Sequence, residues 1–361
     1  MPQLDGLRAF AVTMVFYCHF SAYLPDYLPN FIHWGRLGVI LFFVLSGFLI
    51  TGILLRERRF KDQAGTSALS HFRSFYLRRA LRIFPVYYLT VFALAFFQYK
   101  PVISYLPIHL AYASNLTGFF GKTDYGYVTH FWSLCVEEQF YLLWPFLIFY
   151  IPQRLMPRII IALILAGPFY KILCLAYGFG WGPATRTPLG CIESLGCGAL
   201  LAYYRHTHAH QTMEQLKHWG LVLALPVLLT LQILRPTLEL SPIGRVSYVS
   251  LIDASASLAF CPLLLRACGG ASGLWGKILT NPILRYIGKI SYGLYIYHLI
   301  PKIACQPLLQ ALNIAPPRPG VVMFVLYWLA AVGIASASWF FIEKPVTRFK
   351  NKIPYFSAFR E

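Results

Sequence analysis

The chain has 361 residues, of which 58% are hydrophobic and 12% are charged, and its mean hydropathy is +0.58. Soluble proteins average about 25% charged residues, so a single water-soluble core cannot bury this much apolar sequence. We therefore predict that much of the surface faces lipid. The net charge of +18 is spread between apolar runs rather than along one face, which argues against nucleic-acid binding and favours a cytoplasmic membrane surface.

The apolar segments, taken in chain order, predict an all-α fold, a polytopic transmembrane helical bundle of about ten spans. They lie near residues 7–24, 37–55, 83–99, 131–151, 157–177, 190–204, 219–234, 246–266, 290–310 and 321–342. The first has no basic flank and no small-residue cleavage site, so we expect a retained signal anchor. With no internal repeat or soluble insertion, we expect residues 1–361 to form a single transmembrane domain.

Residues 103–120 are apolar but are interrupted by polar residues, proline and glycine, so the sequence alone leaves open whether they cross the membrane. Loop charge favours one solution. If the segment does not cross, most of the 31 Lys and Arg residues lie on the side of the N-terminus. Crossing would place later basic loops outside, against the positive-inside tendency. We predict a re-entrant or interfacial segment here and cytoplasmic N- and C-termini.

Arg8 and His19 are ionisable residues in the first apolar segment, eleven residues apart. On a helix this spacing gives about 16 Å of rise and about three turns, so the two side chains share a face. A guanidinium at the cytoplasmic rim can bind phosphates bidentately, and a neutral imidazole within the membrane can accept a hydroxyl proton. The alternative is a histidine packed against a neighbouring helix and an ordinary interfacial arginine.

Glu137 and Glu138 are adjacent carboxylates in an apolar segment that is preceded by His130 and Trp132. Each unpaired carboxylate in hydrocarbon costs on the order of several kcal/mol, so a function is expected. We predict that one of them orients His19 or balances its charge, as a carboxylate does in a nucleophilic triad. Pairing with basic groups of another helix for packing alone is the alternative.

Arg78, Arg79 and Arg82 precede the apolar segment that starts at Ile83. Their guanidinium groups suit either lipid headgroups or the phosphates of a donor such as a coenzyme A thioester. The small pair at Ser46 and Gly47 predicts close approach of two helices, and it lacks the surroundings of a nucleophilic serine.

Tyr292 and His298 lie along one later segment, where interfacial tyrosines explain part of the pattern and an intramembrane histidine suggests a function. The cysteines fall in or beside apolar stretches with no CxxC spacing. We expect no zinc site and no disulfide framework.

Six of these stretches together resemble the bacterial acyltransferase family 3, membrane-bound O-acyltransferases that modify surface and secreted glycans. The stretches are LDGLRAFAV with its arginine-to-histidine spacing, FFVLSGFLIT, FYLRRALRIFPVYYL, HFWSLCVEEQFYLLWPFL, IGKISYGLYIYHL and IEKP. They occur in family order from residue 4 to residue 345. Each motif alone identifies the family only weakly, but six motifs in the family order are a specific match.

The resemblance implies about ten helices, a cytoplasmic acyl-CoA donor and an acceptor hydroxyl reached from the far side of the membrane. Arg8 and His19 match the pair regarded as essential in the family, and Glu137 or Glu138 matches its acidic pair. One departure is Ile40, which stands where the family often has an acidic residue. The absence of a C-terminal esterase-like region suggests the stand-alone type.

The sequence therefore predicts a multi-pass O-acyltransferase of the bacterial plasma membrane, with acetyl as the default group. Acyl-CoA is the expected co-substrate, no metal or tightly bound cofactor is expected, and the partners are a glycan acceptor and membrane lipid. The predicted catalytic residues are His19, Glu137 and Glu138; the predicted substrate-binding residues are Arg8, Arg78, Arg79, Arg82, Trp132, Tyr292 and His298. The alternative is a glycan or lipid-intermediate exporter or flippase, although the inverted halves typical of transporters are not evident.

Overall fold

The computed structural model describes residues 2–24, 32–121, 125–311, 320–353 and 355, and these residues form helices and connecting turns with no β-strand. The α-helices are, in chain order, α1 (Pro2–Phe20), α2 (Trp34–Ala64), α3 (Ala68–Phe96), α4 (Lys100–Ile103), α5 (Leu106–Leu110), α6 (Phe131–Tyr150), α7 (Met156–Ala176), α8 (Trp181–Arg186), α9 (Ile192–His206), α10 (His210–Trp219), α11 (Leu225–Leu238), α12 (Pro242–Cys268), α13 (Gly273–Thr280), α14 (Pro282–Lys289), α15 (Ser291–Tyr297), α16 (Ile300–Ala311), α17 (Val321–Ser338) and α18 (Lys344–Asn351). Short 3₁₀ turns cover Ser21–Tyr23, Thr117–Phe120, Gly126–Val128 and Leu189–Cys191, and π-helical turns cover Gly220–Ala224 and Trp339–Glu343. The predicted all-α fold is confirmed.

Six continuous helical stretches in the described ranges are long and apolar enough to cross a membrane. They are Trp34–Ala64, Ala68–Phe96, Met156–Ala176, His210–Leu238, Ile243–Cys268 and Val321–Phe349. Three further predicted spans correspond to α1, α6 and α9. The chain is thus a multi-pass membrane protein, and the total of about ten crossings and the side of the termini stay predictions.

Two predicted segments differ from a continuous span. The one near 290–310 is divided into α15 and α16, with the break at His298 and Leu299. Pro301 explains the break, because proline has no N–H to donate to the carbonyl oxygen of Tyr297 and its ring clashes with that carbonyl group. Residues 103–120 form only short turns, the longest of which has five residues and rises about 7.5 Å, too little to cross a membrane.

Helices α2 and α9 are packed with their backbones in contact, which places α2 at the centre of the bundle. A Cβ atom added at Gly47 would lie 2.0 Å from the carbonyl oxygen of Leu195, and one added at Gly198 would lie 2.0 Å from that of Val44. Glycines on both helices therefore allow the close approach, as in other membrane helix pairs. The prediction of close packing at Ser46 and Gly47 is confirmed.

A buried network of charges ties four helices together. Lys171 on α7 contacts Glu193 Oε1 on α9 at 2.7 Å and Asp253 Oδ2 on α12 at 2.6 Å. Arg36 on α2 donates from Nε to Asp253 Oδ1 at 2.8 Å and also pairs with Asp253 Oδ2 through Nη2. The side chains of Lys171 and Glu193 are fully buried, so each charge depends on its partners for solvation.

Replacing Gly198 with alanine should destabilise the bundle, because a methyl group there overlaps the α2 backbone. Overpacking of this kind costs about 1–3 kcal/mol. The control is Gly333→Ala on α17, where nothing lies within 4 Å of the added atom. The midpoint of thermal unfolding of the purified protein in detergent should fall for Gly198→Ala and be unchanged or higher for Gly333→Ala. Equal midpoints would contradict the packing argument.

Replacing Lys171 with methionine should also destabilise the protein, because it leaves Glu193 buried without a cation and Asp253 with Arg36 alone. Breaking a buried ion pair on one side costs about 3–5 kcal/mol, whereas an exposed pair contributes about 1 kcal/mol or less. Lys217→Met is the matched control, since Lys217 pairs with the exposed Glu214. Thermal unfolding measured side by side should separate the two variants, and a similar small loss in both would refute the assigned role.

Candidate active site

A cavity of about 100 Å³ lies in the bundle between α1, α2, α3, α6 and α15. It is lined by charged and hydroxyl side chains on a mostly apolar wall. The polar lining residues are Arg8, Ser46, Arg79, Arg82, Ser133, Glu137, Glu138, Tyr141, Ser291, Tyr292 and Tyr295. A volume of this size holds several water molecules or a narrow chain of ligand atoms. We call this space the inner cavity.

The three predicted arginines of α3 do not all face the same site. Arg79 and Arg82 are three residues apart, so they share a face and both line the inner cavity. Arg78 points elsewhere: its Nη1 donates to the carbonyl oxygen of Ile353, and its guanidinium lies 4.2 Å from the ring centroid of Tyr355. The expected joint use of Arg78 with Arg79 and Arg82 is therefore not seen. Arg78 lies one turn before Arg82, but its guanidinium group is held by the C-terminal segment instead of facing the inner cavity.

The two glutamates of α6 both line the inner cavity but differ in their hydrogen bonding. Glu137 Oε1 accepts a hydrogen bond from Ser46 Oγ at 2.7 Å, and Ser46 Oγ also lies 2.5 Å from the hydroxyl of Tyr141. Glu138 Oε1 is buried and has no hydrogen-bond partner in the described part of the chain. Ser46 thus makes polar contacts with α6, while its neighbour Gly47 allows the close packing of α2 against α9.

Arg79 and Arg82 face these carboxylates across the cavity without direct contact. Among the described residues, no ion pair within 4 Å joins either arginine to Glu137 or Glu138. The cavity therefore stays open between these opposite charges. In the network around Lys171, by contrast, the charged groups contact one another directly. Water or a polar ligand must complete the hydrogen bonding of these groups.

His19 lies in a separate cluster of three histidine rings. Its ring centroid is 5.0 Å from that of His298 and 6.4 Å from that of His130, and the His130 and His298 centroids are 4.5 Å apart. His130 and His298 are buried, whereas His19 is exposed. Helix α1 ends at Phe20, so His19 occupies its last turn and not the middle of a helix extending to residue 24.

The hydrogen bonds of His298 define its tautomer. Its Nδ1 lies 2.7 Å from the carbonyl oxygen of Tyr295, so the proton is on Nδ1. The Nε2 atom is then unprotonated, and it has no partner among the described residues. His298 follows the last residue of α15 and its N–H still bonds to the carbonyl oxygen of Leu294, so the end of this helix places the ring beside His19.

Ser133 and Tyr295 form the wall between the inner cavity and the histidine cluster. Both line the cavity, and their hydroxyl oxygens are 2.5 Å apart. The Tyr295 hydroxyl donates to the carbonyl oxygen of His130 at 3.2 Å, and its ring centroid is 5.9 Å from that of His298. The cavity therefore reaches the residues that touch the cluster without including His19 itself.

The expected contact between His19 and a glutamate is not present. Neither Glu137 nor Glu138 hydrogen-bonds to His19 within the residues described, and both carboxylates lie on the cavity side of Tyr295. The sequence prediction placed them together because both segments are polar and intramembrane. The helices instead bring His298 and His130 to His19.

Two other predicted residues have distinct positions. Tyr292 lines the inner cavity and donates from its hydroxyl to the carbonyl oxygen of Ile83 at 2.7 Å. Trp132 lies outside the cavity, with the guanidinium groups of Arg36 and Arg186 at 5.7 and 5.9 Å from its ring centroid. It borders a small polar pocket, lined also by Asn115, Thr117, Thr129 and Arg186.

Sequence reasoning missed the charged network around Lys171, although a signal was present. Lys171 lies in the run GPFYKILCLA and Asp253 in the run VSLIDASASLAF, each an isolated charge between apolar residues. Such residues are candidates for intramembrane partners by default. Arg36 also links this network to Trp132, so it positions the aromatic ring as well as pairing with Asp253.

The chain is similar to several O-acetyltransferases over almost its whole length. It is 28% identical over 376 residues to the putative peptidoglycan O-acetyltransferase YrhL of Bacillus subtilis, covering 96% of this chain and 55% of the relative. It is 26% identical over 396 residues to the peptidoglycan O-acetyltransferase OatA of Listeria monocytogenes, covering 100% and 58%. It is 27% identical over 374 residues to the O-acetyltransferase OatA of Staphylococcus aureus, covering 96% and 57%.

The chain thus spans somewhat more than half the length of these curated relatives. No solved structure is significantly similar to it. The family model described as "Acyltransferase domain" matches residues 1–343, which include the inner cavity, the histidine cluster and the wall between them. The chain belongs to acyltransferase family 3.

Proposed function

We propose that this chain is an integral membrane O-acetyltransferase of the bacterial plasma membrane. It transfers an acyl group from cytoplasmic acyl-CoA to a hydroxyl of a cell-surface or secreted glycan. The observation that carries the proposal is the two-sided site: arginines and carboxylates around a cavity on one side of Ser133 and Tyr295, and an exposed His19 on the other. Family membership supports acyl transfer over the alternative of export.

The inner cavity suits the thioester arm of the donor. It is narrow and mostly apolar, as a pantetheine chain requires, and its few polar groups can bind amides and the thioester carbonyl. The unpartnered Glu138 Oε1 is available to accept from an amide N–H of that chain. Arg8, Arg79 and Arg82 supply positive charge that stabilises negative charge developing on the thioester oxygen.

His19 acts in this proposal as the general base. Its imidazole removes the proton of the acceptor hydroxyl, the hydroxyl oxygen bonds to the acyl carbon, and the carbon–sulfur bond breaks. The departing thiolate takes up a proton and leaves as the thiol, so one ester and one free coenzyme A form. Direct transfer requires the acyl carbon to reach past Ser133 and Tyr295 to the His19 side.

The neighbouring histidines position the base. The buried rings of His298 and His130 pack beside His19, and the His298 Nδ1 proton is held by the carbonyl oxygen of Tyr295. This fixes the ring of His298 and with it one wall of the space that His19 occupies. Glu137 and Glu138 act instead on the donor side, where they balance the three arginines of the cavity.

The acceptor is proposed from the relatives, two of which are named as peptidoglycan O-acetyltransferases. Peptidoglycan is therefore the first glycan to test, with O-antigen and exopolysaccharide as the alternatives. Mass spectrometry of surface glycans from cells with and without the gene should show acetyl esters only when the gene is present. Unchanged acetylation of every surface glycan would refute the proposed function.

Replacing His19 with alanine should reduce acetylation strongly while leaving membrane insertion normal. General-base catalysis contributes about 10²- to 10⁴-fold, and the side chain of His19 is exposed, so its removal should leave the packing of the described helices intact. His218→Ala, an exposed histidine of α10, is the control. Acetyl esters on the glycan are measured by mass spectrometry after expression in the deletion strain. Full acetylation with His19→Ala would end the proposed mechanism.

Replacing Glu137 with glutamine should lower activity because it removes a negative charge from beside the cavity arginines and weakens the bond from Ser46. Losing one charge-assisted hydrogen bond costs about 1.5–3 kcal/mol, or about tenfold to a hundredfold in rate. Initial rates are measured at saturating acceptor. Glu214→Gln, at an exposed position of α10, is the control. Wild-type rates for Glu137→Gln would exclude a role for its charge.

A further inference from the structure

A second, larger cavity lies beside the C-terminal half of α2 and adjoins Arg8. Its volume is about 750 Å³, within the range of ligand pockets. Its lining is basic and partly aromatic. The residues are Leu4, Asp5, Arg8, Phe48, Leu49, Gly52, Ile53, Arg56, Arg59, Phe60, Gln63, Ala202, Arg205, His206 and His208. We call it the basic cleft.

The positive charge of the basic cleft is not neutralised by the protein. Arg56 and Arg59 are exposed, lie three residues apart on one face of α2, and form no ion pair with any described residue. Among the described residues of the lining, the one carboxylate belongs to Asp5, which pairs with Arg8 at 2.6 Å. The cleft is thus a site of unbalanced positive charge that favours an anionic ligand.

Arg205 provides an independent indication of a ligand. Its Nη1 atom is buried and has no hydrogen-bond partner among the described residues. Its Nη2 atom lies 3.5 Å from the carbonyl oxygen of Cys268, at the limit of a hydrogen bond, and its guanidinium lies 5.8 Å from the ring centroid of Phe48. A buried guanidinium N–H without an acceptor is costly, and a bound anion would satisfy it.

The basic cleft and the inner cavity meet at Arg8 and Leu49, the two residues that line both. A ligand with an anionic head in the cleft can therefore extend a narrow arm past Arg8 toward Glu137, Glu138 and Tyr295. This is the shape of a coenzyme A thioester, whose phosphates are at one end and whose thioester is at the other. The inner cavity is too small to hold the nucleotide as well.

We propose that the basic cleft binds the phosphates of the acyl-CoA donor through Arg56, Arg59 and Arg205, while the pantetheine arm passes Arg8 into the inner cavity. The inference rests on the proposed function and goes beyond it, because it assigns the phosphates to the basic cleft and not to Arg79 and Arg82. Guanidinium groups bind phosphate bidentately, and the rings of Phe48 and Phe60 offer apolar surface to the adenine. Arg79 and Arg82 remain for the reacting end of the donor.

Phosphate is also the headgroup chemistry of anionic lipids, which collect at the cytoplasmic surface. The test therefore uses lipid nanodiscs of zwitterionic phosphatidylcholine, in which no anionic lipid competes. Binding of coenzyme A and of pantetheine, which lacks every phosphate, is measured by calorimetry. The variants are Arg56→Gln with Arg59→Gln together, and Arg266→Gln as a matched control in the last turn of α12, exposed and outside both cavities.

The double variant should weaken coenzyme A binding at least about tenfold, because two charge-assisted contacts are lost. Pantetheine should bind the wild type and the double variant equally, and Arg266→Gln should match the wild type for both ligands. Thermal unfolding checks that all variants are folded. A single Arg205→Gln variant should lower coenzyme A affinity in the same direction.

Three outcomes would overturn the inference. If the double variant binds coenzyme A like the wild type, the phosphates bind elsewhere and the proposed function stands. If the double variant instead loses only its preference for phosphatidylglycerol in mixed nanodiscs, the cleft binds lipid headgroups. If the wild type binds no coenzyme A in any lipid, the donor of the proposed function is itself wrong.

Discussion

The structure is governed by the cost of placing charge in an apolar bundle, which the protein meets in two different ways. Around Lys171, the ammonium, two carboxylates and the guanidinium of Arg36 contact one another directly and close the space. Around Arg79 and Glu138, opposite charges face each other across a cavity and lack direct contact. The first arrangement stabilises the helix bundle; the second leaves charge available to a ligand.

The same constraint explains why donor and acceptor chemistry can be separated in one protein. The inner cavity ends at Ser133 and Tyr295, and the exposed His19 lies beyond them with His298 and His130. Helix α15 itself sets the position of His298, because the N–H of this residue still bonds to the carbonyl oxygen of Leu294. The break caused by Pro301 follows His298, and a new helix, α16, begins beyond it.

Much of the fold and part of the candidate site could be predicted from the sequence. Every apolar segment that was predicted to span contains helix, and the spacing of Arg8 and His19 places them in one helix with the family motifs in order. The inner cavity is lined by six residues that the sequence singled out, namely Arg8, Arg79, Arg82, Glu137, Glu138 and Tyr292, and their roles stay predictions. These features depend on composition and on helical periodicity, which are local properties of the chain.

Tertiary structure decided which of these residues meet. Arg78 turns away from the inner cavity because the packed C-terminal segment supplies a partner for it, the carbonyl oxygen of Ile353. His19 meets His298, 279 positions later in the sequence numbering, and not the glutamates. Arg205 reaches the cleft of Arg56 because α9 packs on α2. The sequence by itself determined where the helices lie along the chain and which charged residues lie within them. Which of those residues meet at the site was decided by contacts between distant segments, because these contacts depend on how the helices pack.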